Sequence, residues 1–153
     1  MKTFAHDRDK AEIVERLRAL QPTSTRRWGR MSVHQMVCHL SDCYRMVTDG
    51  RVVTRTATPL PQPVMRWLAL YGPFRWPPGV VTSPEVDQSV GGTRPVEFAR
   101  DVAEVEALIG AMTTRQRGRL EGQTHPAFGP MSESAWLRWG YLHADHHLRQ
   151  FGV

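Results

Sequence analysis

Apolar residues recur at every third to fourth position along four long stretches of the chain, which is the spacing of helices with one buried face. Pro22 stops the first stretch, and Ser32 with Gln35 forms a capping box at the start of the second. The predicted helices cover Asp7 to about Leu20, Ser32 to about Gly50, Pro95 to about Arg117, and Ser132 to about Phe151. No convincing pair of strands is predicted.

The stretch from Arg51 to Arg94 has a different pattern. It contains seven prolines and only one short helical candidate, Val64 to Tyr71. A connection of this length inside one domain is either a functional cover or a crossover between distant ends of a bundle. A crossover lets the two helices that flank it run parallel. The pattern therefore predicts an all-α four-helix bundle with a long Pro-rich crossover that carries a short extra helix.

Length and composition are typical of one globular domain, spanning residues 1–153, with 41% hydrophobic residues. No run approaches the ~20 apolar residues needed to cross a bilayer, and the N-terminus does not resemble a signal peptide. A cytoplasmic protein is predicted. Cys38 and Cys43 lie on one predicted helix and point ~140° apart, so we expect reduced thiols rather than a disulfide.

Arginine carries almost all of the positive charge. The formal net charge is +5, and of 20 basic residues only Lys2 and Lys10 are lysine. Guanidinium groups suit carboxylate or phosphate ligands, although codon bias gives the same composition. The arginines are scattered over helices and loops rather than packed on one face with aromatics between them, which argues against nucleic-acid binding.

Three histidines are the main candidates for chemistry. His143 and His147 are one helical turn apart on the last helix, and can present two ring nitrogens to one ion. His39, on the second helix, is a candidate third ligand. A site of three histidines leaves one coordination position open for water or substrate, which indicates catalysis more than structural zinc.

Helix geometry supports the meeting of these rings. His39 lies ~10 Å from the cap of its helix, and the middle of the His143 and His147 pair lies ~9 Å from the far end of the last helix. If the two helices pack antiparallel, the three rings lie at one level.

Other interpretations of these residues stay open. Each histidine taken alone can be a hydrogen-bonded core residue. His146 can replace His143 or His147 as a ligand, but it lies at the edge of the stripe, which favours a supporting or surface role. Cys43, one turn after His39, is a good zinc ligand by chemistry but more often a small buried hydrophobe. His125 can line an entrance or simply belong to a turn. His34 and His6 are expected to face solvent. The five tryptophans are interpreted as packing residues, namely Trp28, Trp67, Trp76, Trp136 and Trp139.

Competing catalytic signatures are absent from the sequence. It has no His-Glu-x-x-His motif, phosphate-binding glycine loop, Gly-x-Ser-x-Gly elbow or Cys-x-x-Cys pair. The histidines also lack a neighbouring Glu, which excludes the carboxylate-bridged di-iron sites of ferritin-like bundles.

Around these histidines the chain resembles the DinB-like superfamily of metal-binding four-helix bundles. The similarity lies in Met36-Val37-Cys38-His39-Leu40-Ser41-Asp42 and in His143-Ala144-Asp145-His146-His147-Leu148-Arg149-Gln150-Phe151. The segment from His125 to Ser132, followed by Trp136, is similar to an uncharacterised branch of that superfamily. The Pro-rich segment from Arg51 to Arg94 departs from the general pattern.

The resemblance implies an up-down-down-up bundle, with His39, His143 and His147 as ligands of zinc or nickel. It also implies a homodimer with a small-molecule substrate, and a low-molecular-weight thiol as co-substrate. The expected function is a metal-dependent enzyme, either a thiol S-transferase or a hydrolase-like protein. The alternative is a non-catalytic stress-related or interaction protein with a structural metal.

Overall fold

The computed structural model describes residues 1–114 and 118–153, and this part of the chain is mostly helical. It contains five α-helices, one 3-10 turn and one small ladder of two strands. The helices are α1 (Asp7–Arg18), α2 (Val33–Thr48), α3 (Gln62–Tyr71), α4 (Phe98–Thr114) and α5 (Glu133–Gln150). The strands are β1 (Thr124–His125) and β2 (Gly129–Pro130), and the 3-10 turn is Pro84–Val86.

The predicted all-helical class is confirmed, with small shifts at helix ends. Helix α4 begins at Phe98 rather than near Pro95, and its predicted end at Arg117 lies outside the described residues. The expectation of no strand pair is wrong, because β1 and β2 pair antiparallel. Strands of two residues are too short to show the alternation of apolar and polar positions by which a strand is predicted.

Side-chain caps fix the start of the two helices that carry the histidines. Ser32 Oγ accepts a hydrogen bond from the Gln35 backbone N–H at 3.2 Å, and Gln35 Oε1 accepts one from the Ser32 N–H at 2.9 Å. The predicted capping box is therefore confirmed. Ser132 caps α5 in the same way, by accepting from the Ala135 N–H at 3.2 Å.

Contacts between α2 and α5 give their relative direction. Tyr44 donates its hydroxyl proton to the carbonyl of Gly140 at 3.0 Å. His39, earlier in α2, contacts His143, later in α5. Position along α5 thus decreases as position along α2 increases, so the two helices run antiparallel. This is the arrangement under which the sequence places the three histidines at one level.

Helices α2 and α4 run parallel. His34 Nε2 lies 2.7 Å from an Asp101 carboxylate oxygen, and further along both helices Arg45 donates to Glu104 at 3.0 Å. The long connection between α2 and α4 therefore runs from the end of α2 to the opposite end of this helix pair, where α4 begins.

Helix α1 runs parallel to α5. The Phe4 N–H, just before α1, donates to the Leu137 carbonyl at 3.1 Å. Further along both helices, Arg16 of α1 donates to Asp145 of α5 at 2.9 Å. It follows that α1 and α5 point one way, and α2 and α4 the other.

The apolar core lies between these four helices. Burying each large side chain stabilises the fold by about 1.5–3 kcal/mol relative to leaving it exposed. Its largest fully buried members include Trp136, Tyr44, Phe4, Ile13, Leu17, Met36, Leu40 and Met112. Gly140 allows Phe4 to pack against α5, since a Cβ there would stand 2.8 Å from the Phe4 ring.

Both cysteines are free and buried on α2. Within residues 1–114 and 118–153, none of the helices combines the length and apolar character that crossing a membrane requires.

Candidate metal centre

Three histidine rings from α2 and α5 meet inside the protein. The ring centroid of His39 lies 5.2 Å from that of His143 and 4.8 Å from that of His147, and the last two are 4.8 Å apart. The Nε2 atoms of His39 and His143 face each other at 3.3 Å. All three residues are buried. The structure thus brings together the three histidines that the sequence selects.

The orientation of the His39 ring is set by a backbone carbonyl. Its Nδ1 lies 2.7 Å from the oxygen of Val86, in the 3-10 turn of the long connection. A carbonyl oxygen only accepts hydrogen bonds, so Nδ1 carries the proton. The Nε2 atom is left with a lone pair, which is the form that binds a metal.

A side-chain amide orients His147. Gln150 donates its Nε2 proton to the Trp28 carbonyl at 2.8 Å, so its Oε1 faces the His147 ring. This oxygen lies 3.0 Å from Nδ1 of His147 and accepts its proton. The Nε2 of His147 is therefore also unprotonated.

The third ring, His143, has no such support. Its Nδ1 is buried and has no hydrogen-bond partner in the described part of the chain. Burial lowers the pKa of His143 well below its ordinary value, and the neighbouring His147 and His39 lower it further. Burial is also the main cause of the lowered pKa of His39 and of His147. The cluster is neutral near pH 7, as metal binding requires.

The distances suit a tetrahedral zinc ion. With zinc–nitrogen bonds of about 2.0–2.1 Å, two nitrogen ligands stand about 3.3–3.4 Å apart. The observed Nε2 to Nε2 distance between His39 and His143 is 3.3 Å. The sulfur of Cys43 lies 3.6 Å from the His39 Nε2 but also 3.8 Å from its Nδ1, so the thiol would have to rotate to share an ion bound at Nε2. The donor atoms of His39, Cys43 and His143 all lie within 4.8 Å of one another, so this group can hold a metal ion.

Two side chains compete for the third position. Cys43 belongs to the closest group of donors, whereas His147 does not, although its ring contacts the other two. The sulfur of Cys43 lies 3.6 Å from one His39 nitrogen and 3.8 Å from the other, so it stands beside the ring. Burial raises the pKa of the Cys43 thiol, and the Asp42 carboxylate raises it further. The assignment of His147 stays a prediction, with Cys43 as its rival.

A buried carboxylate fixes the segment that orients His39. Asp42 is fully buried and accepts from Arg51 at 2.8 Å and from Gln88 at 2.9 Å. It also accepts from the backbone N–H and the hydroxyl of Thr93, both at 2.7 Å. These bonds hold residues 84–93 against α2 and so keep the Val86 carbonyl at His39.

Sequence reasoning missed Asp42 and the Val86 carbonyl. Asp42 lies opposite the apolar stripe of α2, where a solvent-facing residue is expected, and it is buried because the long connection covers that face. One feature of the sequence does indicate an ion-paired role for Asp42. Asp42 and Asp49 are the only acidic residues among ten arginines between Arg16 and Arg75, so each has an excess of cationic partners.

The remaining histidines have distinct surroundings. His146 is buried, with its ring 5.9 Å from Trp28 and 6.1 Å from Trp76, and its Nδ1 has no partner among the described residues. His125 is the buried last residue of β1, and its Nδ1 accepts from the Ala127 N–H at 3.1 Å. Burial lowers the pKa of His125 to about 3.

The sequence predicts that His6 and His34 both face solvent, and the structure agrees for only one of them. His6 is largely exposed, as expected, with 62% of its side chain accessible. His34 is not free in solvent, because α4 packs on that side of α2 and brings the Asp101 carboxylate to its ring at 2.7 Å. The helical pattern of α2 alone does not show where α4 lies.

Aromatic rings surround the histidines. Trp139 stacks on His143 with centroids 5.0 Å apart, and Trp76 lies 6.0 Å from the same ring. The packing role expected of Trp136 and Trp139 is confirmed by their burial. For Trp67 the expectation is wrong, since it is 59% exposed on α3. No partner element covers that side of α3 in the described part of the chain.

We expect His147→Gln and His146→Gln to separate the third ligand from its neighbour. If His147 binds the metal, its replacement should lower zinc affinity by more than about a hundredfold, whereas His146→Gln should lower it by about tenfold, as for a group outside the ligand set. Competition with a chelator of known affinity measures both. A larger loss in His146→Gln would contradict the assignment of His147 and make His146 the ligand. Equal small losses in both variants would favour Cys43.

Comparison with known proteins gives one result. A family model described as "Protein of unknown function (DUF1569)" matches residues 4–152. No curated protein matches the chain. No solved structure matches it either.

Proposed function

Since the chain belongs to the DUF1569 family of proteins of unknown function, we propose a function from its own site: a divalent-metal enzyme of the DinB-like kind. The observation that carries the proposal is the pair of Nε2 atoms 3.3 Å apart on His39 and His143. Three protein donors, His39, His143 and either His147 or Cys43, leave the fourth tetrahedral position open to a substrate.

The proposal includes the up-down-down-up four-helix bundle. It is supported by the antiparallel contacts of α2 with α5 and the parallel contacts of α2 with α4 and of α1 with α5. Helix α3 and the rest of the Pro-rich connection would form the crossover. In such a bundle, metal ligands project inward from facing helices, which is where these histidines lie.

The residues of the chain have separable roles in this proposal. A divalent metal supplies Lewis acidity, which lowers the pKa of a water or thiol that binds beside it. The Val86 carbonyl and the Gln150 amide hold the His39 and His147 rings with their Nε2 lone pairs directed away from those bonds. Trp139 and Trp76 cover the His143 ring and exclude bulk water from that side.

Zinc and nickel are the proposed metals, because imidazole is a good ligand for both. The reaction class follows the DinB-like resemblance: transfer to or from a low-molecular-weight thiol, or hydrolysis, with a small molecule as substrate. The same resemblance makes a homodimer part of the proposal. The exposed apolar side chains of α3, which include Val64, Trp67 and Tyr71, offer a face for a second copy.

One observation favours a second candidate, a structural metal without catalysis. Cys43 lies close enough to His39 and His143 to bind the same ion. If Cys43 and His147 both bind it, the ion has four protein donors and no open position, which is the pattern of structural zinc sites.

Elemental analysis of protein purified without chelators or a His-tag tests the proposal. We expect at least one equivalent of zinc or nickel per chain, which a strong chelator removes. The chelated protein should keep its far-UV circular dichroism, because a chain of 153 residues has a core of its own. Metal-dependent turnover of a thiol with an electrophile would support the enzyme. Loss of helical signal on chelation would support the structural metal instead.

A further inference from the structure

A second group of metal-binding side chains lies between α2 and α4, outside the centre described above. His34 and Cys38 are one turn apart on α2, and Asp101 faces them from the first turn of α4. The donor atoms of these three residues all lie within 4.8 Å of one another. His34 Nε2 is 2.7 Å from Asp101 Oδ2, and the Cys38 sulfur is 3.5 Å from the same oxygen.

The donor set is one that zinc binds. It offers one imidazole nitrogen, one sulfur and one carboxylate oxygen, and zinc takes all three types. In a tetrahedral zinc site a bound sulfur and oxygen stand about 3.6 Å apart, close to the observed 3.5 Å. The 2.7 Å between His34 and Asp101 would have to widen by about 0.7 Å, which is within reach of a side-chain rotation on a half-buried residue.

Cys38 shares the Asp101 carboxylate oxygen with His34 and with the Val96 N–H. Cys38 is buried outside the apolar stripe of α2 and directs its sulfur at a carboxylate. A divalent cation would neutralise a thiolate and a carboxylate at once. It would also keep its contact with the imidazole of His34.

We propose that His34, Cys38 and Asp101 form a second zinc site, which ties α2 to α4. The site opens to solvent, since 24% of the His34 side chain and 19% of the Asp101 side chain are exposed. An ion can therefore enter from outside without unfolding, and water fills the fourth position. The two helices are joined by the long connection, so an ion here would hold their parallel register directly.

Cobalt is the probe, because a thiolate ligand gives Co²⁺ an intense charge-transfer band that histidine and carboxylate ligands do not. The chain has only two cysteines, so in Cys43→Ser protein any such band comes from Cys38. We expect Cys43→Ser protein to bind cobalt with the band, and the band to disappear when His34→Ala or Asp101→Asn is added. Asparagine keeps an oxygen that can accept the Val96 N–H, which Asp101 now binds at 3.2 Å.

Absence of the band in folded Cys43→Ser protein would overturn the second site. So would a band that survives both His34→Ala and Asp101→Asn, because the thiol would then bind cobalt adventitiously. If Cys43→Ser fails to fold, Cys43→Ala serves the same purpose. A second measurement is independent of the histidine centre. In His39→Ala protein, zinc should still raise the midpoint of thermal unfolding, and adding His34→Ala should abolish that rise.

Discussion

Replacing His39 by alanine is expected to lower the metal content by one equivalent per chain while the helices stay folded. His39 supplies an Nε2 lone pair that faces His143 at 3.3 Å, and no other residue of α2 offers an imidazole at this level. Loss of a supporting group outside the ligands already lowers metal affinity by about 10- to 100-fold, so loss of a ligand should exceed that. Elemental analysis after dialysis gives the content, and circular dichroism checks the fold.

The matched control is His6→Ala. His6 is largely exposed, and its ring hydrogen-bonds to Asp9 at the start of α1, so its loss should leave the metal content unchanged. Both variants are best compared in Cys38→Ser protein. That change removes a ligand of the proposed site between α2 and α4, so the measured metal content reports on the histidine centre. Full occupancy in His39→Ala would show that His39 is not a ligand, and the three-histidine centre would have to be abandoned.

The helices and the meeting of the histidines could be predicted from the sequence because both depend on regular periodicity. The 3.6-residue repeat gives the stripe of each helix, and the caps at Ser32 and Ser132 fix where α2 and α5 begin. With the start of α2 and the end of α5 known and the helices antiparallel, the rise per residue places His39 opposite His143 and His147. The antiparallel packing of α2 and α5 is the only tertiary information that this step needs.

The groups that orient the ligands could not be predicted in this way. The Val86 carbonyl and the Trp28 carbonyl both come from irregular segments, whose path has no repeat in the sequence. Backbone carbonyls also carry no residue identity, so composition gives no hint of them. The same lack of a repeat hid β1 and β2, which are two residues each.

The choice between His147 and Cys43 depends on side-chain rotamers. Both lie one helical turn from a predicted ligand, Cys43 after His39 and His147 after His143. The sequence spacing therefore does not distinguish Cys43 from His147 as the third ligand. The difference arises from how far each side chain reaches across the space between α2 and α5, which is decided by packing against Trp139, Gln150 and the long connection.

Replacing Asp42 by alanine is expected to reduce the free energy of unfolding by about 3 kcal/mol, as when one partner of a buried ion pair is removed. The variant leaves Arg51, only 26% exposed, without its carboxylate. It also leaves the Thr93 N–H without its acceptor. Urea unfolding followed by circular dichroism measures the loss. Residues 84–93 would no longer be fastened to α2, so we also expect zinc affinity to fall by about 10- to 100-fold as the Val86 carbonyl loosens from His39.

The end of the same helix provides the control. Asp49 is 60% exposed and lies 3.9 Å from Arg45, so Asp49→Ala removes an exposed carboxylate from the same neighbourhood of arginines. An exposed ion pair of this kind contributes about 0–1 kcal/mol to the free energy of unfolding. The Asp49→Ala change should therefore have little effect on stability. Equal losses of stability in the two variants would contradict a structural role for the buried carboxylate. A destabilised Asp42→Ala protein with unchanged zinc affinity would show that the Asp42 hydrogen bonds to residues 84–93 do not support the metal centre. The His39 ring would then keep its orientation without the Val86 carbonyl.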